Sequence, residues 1–159
     1  MIVNTIAILT QYGTSTVAQI KQNLASSGTN ASGKTSNSLR FEVKDEGFKQ
    51  ILKIFGRPFF MTVETGRRAT PDYKPSQQFV ATIQEWMRAK GIQGQAYGIA
   101  LSIHKKGTKL FQKGGRQDIV SDVVNETLVQ QISKSVLDQF TKEVAQHTVK
   151  LFSNGRSVN

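Results

Sequence analysis

Leu39-Arg40-Phe41-Glu42-Val43-Lys44 alternates apolar and charged side chains, Asp45-Glu46-Gly47 breaks the run, and a second apolar stretch follows from Phe48 to Phe55. After Gly56-Arg57-Pro58 comes a third run, Phe59-Phe60-Met61-Thr62-Val63-Glu64, again rich in residues that suit a pleated surface. Alternation at period two marks strands, and the Gly, Pro and acidic clusters between them mark turns. Connections this short leave no room for a crossover, so the three strands are predicted to form an antiparallel meander. Three strands are not stable by themselves, so helices must cover one face. This stretch therefore decides the fold: an α+β chain, with a small antiparallel β-meander packed by helices.

Upstream, Ile2, Ile6, Leu9, Val17, Ile20 and Leu24 recur at helical spacing over residues 2–26, with Gly13 where an apolar residue is expected. The spacing predicts an N-terminal helix that bends or packs closely at Gly13. Its other face is Asn, Thr, Gln and Ser rather than charge, which suits either a subunit interface or a merely polar surface. Ser26 to Ser38 reads as a loop by composition, with room for one helical turn.

Downstream, Thr65 to Lys74 is an irregular basic loop. Pro75 and Ser76 start a helix with Phe79, Ile83 and Trp86 or Met87 as its stripe and Gly91 as its left-handed cap. A second helix is predicted from Gln95 to Lys106, with Ala96, Ile99, Ala100 and Ile103 on one face and Gly107 at its end. Lys109 to Gln117 reads as a loop. From Asp118, apolar residues recur every four positions through Val144 and predict a C-terminal helix of roughly 30 residues, about 45 Å long, that breaks near Asn125 or reaches another subunit. The expected organisation is one domain: an N-terminal helix over 1–27, an α+β core over 28–116, a long C-terminal helix over 117–152 and a tail over 153–159.

Composition narrows the functional classes. The formal net charge of +10 favours an anionic partner such as nucleic acid, an acidic protein surface or anionic lipid. The excess is local: Arg88, Lys90, Lys105, Lys106, Lys109, Lys113 and Arg116 fall between Trp86 and Gln117 with no acidic residue among them. Only 38% of residues are apolar, so some elements are expected to bury their faces against partners. The absence of cysteine excludes disulfides, thiolate zinc sites and cysteine nucleophiles. No apolar run is long enough for a membrane span and no basic leader opens the chain, which suggests a soluble protein made in the cytoplasm.

Gly28-Thr29-Asn30-Ala31-Ser32-Gly33-Lys34-Thr35 fits the phosphate-loop pattern, in which backbone amides cradle phosphates, the lysine reaches the terminal ones and the threonine binds magnesium. That loop must follow a buried strand and open a helix. Here a helix precedes it and a strand follows, so a nucleotide site is a remote alternative. His104 and His147 are isolated and read as surface or structural residues. No acid pair or nucleophile set has a spacing that requires proximity, so no enzyme, cofactor or metal site is expected. Arg67-Arg68 and the cluster from Lys105 to Arg116 flank the same two helices and suit contact with a phosphate backbone without base readout.

Thr65-Gly66-Arg67-Arg68, then Phe79, Ile83, Trp86-Met87 and Lys90-Gly91-Ile92, then Ala96-Tyr97, Ile99-Ala100, Ile103 and Gly107-Thr108 follow in an order and spacing that resembles a family of tailed-phage structural proteins. These are the neck or tail-completion proteins of the head-tail connector, related to the minor tail component of lambda-like siphophages and to connector ring proteins. The likeness covers about residues 35–130. It implies an N-terminal helix, a small antiparallel sheet, two central helices and a C-terminal helix. It further implies a non-enzymatic virion protein, made in the host bacterial cytoplasm, that forms a ring at the head-tail junction around the DNA channel. The expected partners are further copies of itself in a cyclic homo-oligomer (twelve-fold favoured, six-fold the alternative), the portal or an adjacent ring, tail proteins and packaged double-stranded DNA. The long C-terminal helix and nearly uncharged first helix depart from the family pattern. Arg67, Arg68, Lys105, Lys106, Lys109 and Lys113 are the expected contacts to DNA or an acidic neighbour. A nonspecific DNA-binding protein outside the virion is the alternative.

Overall fold

A computed structural model describes residues 5–47, 49–71 and 74–154. The chain is α+β, with one two-stranded antiparallel sheet and helices at both ends. Helix α1, Thr5–Ser26, is continuous, and its buried positions Leu9, Gly13, Thr16, Val17, Ile20 and Leu24 line one face at helical spacing. Gly13 serves close packing. A Cβ there would collide with the Phe41 ring and lie 2.9 Å from Leu52 Cδ1, so only glycine lets the helix sit directly on the sheet.

The sheet pairs β1, Arg40–Asp45, with β2, Gln50–Phe55, in a register that sets Arg40 opposite Phe55 and Val43 opposite Leu52. Arg40 lies 5.1 Å over the Phe55 ring across the strands. The turn is held by Asp45 Oδ1, which accepts from Gly47 N at 3.0 Å. The second strand is expected to begin at Phe48, which lies outside the described residues; ladder pairing begins at Gln50.

The third strand does not form. Phe60 N donates to Arg57 O and Thr62 N to Phe59 O, so the chain turns and then makes a single helical turn, α3, Thr62–Thr65. Residues with strand propensity are overridden because the turn aims Glu64 inward, where its carboxylate has four donors waiting. Phe59 supplies the sharp reversal with a left-handed φ of 63°. The expected meander is thus a hairpin.

Val17, Ile20 and Leu24 pack with Leu39 and Ile119 in the main core, flanked by Phe41, Ile54, Phe60 and Val63. A second cluster belongs to the central helix pair. In α4, Gln77–Lys90, Ser76 Oγ accepts from Phe79 N at the start and Gly91, at φ 65°, ends the helix. Its partner α5 is Ala96–Lys106. Ile83 and Met87 pack on Ala100, which has no exposed surface, so the helices approach closely. Met87 is the inward member of the Trp86/Met87 pair.

Two one-turn helices lie in the connecting stretches: α2, Lys34–Asn37, the single turn for which the Ser26 to Ser38 loop leaves room, and α6, Lys109–Gln112, in a stretch expected to be a loop. Thr108 starts α6 by accepting from Phe111 N at 3.3 Å. The long C-terminal helix begins later than Asp118. Ile119 is taken into the core, residues 118–123 are turns, and α7 runs Glu126–Asn154, with Asn125 Oδ1 accepting from Leu128 N at 3.1 Å. Its 29 residues span about 44 Å. Asn23 Nδ2 donates to Ile119 O, and Tyr12 OH meets Ser135 Oγ at 2.9 Å, so α7 runs back along α1 toward its N-terminal end. No described side chain of α7 is fully buried.

Candidate functional site

The segment 66–70 lies alongside residues 104–108 in the opposite direction. Arg67 O accepts from Thr108 N at 2.9 Å, Arg67 N donates to Thr108 Oγ1 at 3.0 Å, and Thr70 N donates to His104 O at 2.7 Å. Two glycines make this possible. A Cβ at Gly66 would collide with the Phe111 amide, and one at Gly107 would lie 2.9 Å from Arg67 O. Both also hold positive φ, at 71° and 76°, which other residues adopt at a cost.

Within this clamp the Arg67 guanidinium stacks 3.7 Å over the Phe79 ring, and its Nη2 lies 3.2 Å from His104 Nε2. A guanidinium only donates, so Nε2 is the acceptor and Nδ1 carries the proton, donating to Thr70 Oγ1 at 3.0 Å. Partial burial draws the Arg67 pKa below its ordinary value. Arg67, partly buried, therefore joins α4 to α5 from within. His104 is buried, as a structural histidine would be.

Arg68 is the outward residue between the two anchored positions, and it emerges beside the end of α5. Lys105 and Lys106 close that helix, Lys109 opens α6 and Lys113 follows it one turn later; all five side chains are exposed. The clamp therefore sets Arg68 beside the end of α5, next to the segment 105–113 that carries the four lysines and forms with it a basic rim in chain order. Among the described residues none of these five enters an ion pair, whereas Arg116 is held by Asp118 at 2.5 Å. Lysines so placed, without acidic neighbours, suit the oxygen atoms of phosphates or carboxylates.

Glu64 fixes the rim to the body. It is 2% exposed, and Oε1 accepts from the amides of Ile119, Val120 and Ser121 at 2.9, 2.5 and 3.0 Å while Oε2 accepts from Ser121 Oγ at 2.6 Å. Burial alone would raise its pKa, but the bonds from Ser121 and the two preceding amides outweigh it, so the carboxyl titrates below its ordinary value. Glu64 O also accepts from Arg116 N at 2.9 Å. This anchor leaves no local sequence signal, because its donors lie 55 to 57 residues away.

The phosphate-loop lookalike is preceded by α1, and its last two residues open the single turn α2 that leads into β1. Lys34 Nζ is paired with Glu85 at 2.6 Å, and Lys90 Nζ donates to Gly28 O at 2.7 Å, so the segment straps α4 to the body. Among the described residues no three His, Asp or Glu side chains come together as a metal site, and no helix is long and apolar enough to cross a membrane. Comparison with protein-family models, curated proteins and solved structures finds no match for the chain.

Proposed function

We propose that the chain is a structural subunit of a ring at the head-tail junction of a tailed phage, joining portal-side and tail-side proteins around the DNA channel. The observation that carries this reading is the division of roles in and beside the motif that resembles connector proteins. Gly66, Arg67, Phe79 and Gly107 of the motif, with His104 between them, lock the central helices together, while Arg68 of the motif and Lys105, Lys106, Lys109 and Lys113 beside it stand exposed as cations. A rigid scaffold bearing a cationic rim suits a sequence-independent contact with DNA or an acidic ring neighbour.

The surface supports an assembling subunit as well. Val129, Leu137 and Leu151 on α7 are each more than 60% exposed, apolar surface of the kind that neighbours bury. Cyclic assembly uses heterologous contacts, for which the polar face of α1 and the length of α7 are suited. The test is single-particle imaging of the purified protein, alone and with portal rings. Closed rings are expected; single subunits under all conditions would reject the proposal. Salt-sensitive DNA binding by a chain that stays monomeric would favour instead a nonspecific DNA-binding protein outside the virion.

A further inference from the structure

Beyond Ser135 the C-terminal helix carries an apolar seam on the side away from α1. Leu137, Phe140, Val144, His147 and Leu151 follow one another at alternating spacings of three and four, the pattern of a two-helix seam. Leu137 is 62%, Phe140 49% and Leu151 62% exposed. At about 100° per residue the seam is centred about 140° round the helix from Ser135 and Gln139, which face α1, so it is clear of that contact. The helix is anchored through Tyr12 and Ser135, so a partner would meet a preformed surface and not bear the cost of helix nucleation.

The charges beside the seam select the partner. We infer that the seam pairs with the same seam of a second copy, antiparallel, with Phe140 against Leu151 and Val144 against His147. In that register Glu143 of each copy flanks Lys150 of the other, giving two symmetric ion pairs. Sliding the helices by one heptad in one direction sets Glu143 against Glu143, and in the other direction Lys150 against Lys150. A parallel pair stacks His147 on His147 and leaves both charges opposite Thr148 or beyond the helix. Attraction in one register and repulsion in its neighbours is the signature of a specified pairing. Gln139 Nε2, 3.0 Å from Glu143 Oε1, steadies that carboxylate. This pairing rests on the helix alone and stands or falls independently of the ring.

The test is sedimentation equilibrium of the full chain, of Glu143→Lys, of Lys150→Glu, and of an equimolar mixture of the two variants, in low salt. Each variant alone places like charges at both sites and is expected to self-associate about tenfold more weakly, the swing of two exposed pairs from attraction to repulsion. The mixture pairs lysines with glutamates at both sites, so association is expected to return to that of the unaltered chain. Restoration on mixing cannot come from misfolding of either variant. A monomeric unaltered chain, charge reversals without effect, or a mixture that stays as weak as its components would each overturn the inference.

Discussion

The Arg67 guanidinium lies 3.7 Å over the Phe79 ring and within 3.2 Å of His104 Nε2, so one side chain joins the loop after α3 to both central helices. Lysine keeps the charge but not the planar stack or the forked donors. Arg67→Lys is expected to cost about 1–2 kcal/mol and lower the thermal midpoint by about 3–6 °C. Arg68→Lys, on the exposed neighbour, should leave the midpoint unchanged. Equal effects at the two positions, read by calorimetry, would argue against the clamp.

Glu64 makes acid stability a direct readout of the second anchor. Its carboxyl titrates below the ordinary value of 4.5, so the folded state favours the ionised form. The stabilisation is fully present above that value and is lost as pH falls through the lower folded one. Glu64→Gln should cost about 2 kcal/mol at neutral pH and flatten the loss of stability below pH 4.5. Denaturant melts across that range check both effects; an unchanged acid slope would remove Glu64 from its assigned role.

Two helical glycines make opposite predictions. Alanine at Gly13 must displace the Phe41 ring and Leu52, and is expected to destabilise by about 1–3 kcal/mol. Alanine at Gly98, within α5 and facing open space, should stabilise by about 0.5–1 kcal/mol. The sign difference in chemical denaturation is the measurement.

The helices are legible in the sequence because their signals are local. Apolar spacing locates α1, α4, α5 and much of α7, and Gly91 and Gly107 mark two ends that the structure keeps. The third strand fails for a physical reason: Phe59 to Val63 has strand propensity, but the inward Glu64 and the reversal at Phe59 impose a turn. The C-terminal helix starts at Glu126 instead of Asp118 because Ile119 is needed in the core, a demand set by α1 and Leu39. Arg67 reads in the sequence as a contact cation, and no local signal announces its stack on Phe79 or its bonds to His104 and Thr108, which converge from distant positions. Arg68, Lys105, Lys106, Lys109 and Lys113 are exposed.

The basic rim has a salt-dependent signature. Replacing Lys105, Lys106, Lys109 and Lys113 with alanine should weaken binding to duplex DNA of any sequence. It should also lower the slope of log affinity against log salt by about 0.9 for each phosphate left without its lysine. All four side chains are exposed, so thermal stability should hardly change. Fluorescence anisotropy across a salt series checks this; an unaltered slope would remove these lysines from a DNA-facing role.

A density map of an intact virion neck tests the proposed place in the particle most directly. The expected result is a closed ring between portal and tail into which the helix pair α4–α5 fits, with the rim of Arg68, Lys105, Lys106, Lys109 and Lys113 facing the channel or an acidic neighbouring ring. A neck whose density is fully explained by other proteins, in particles from which this chain is absent, would contradict it.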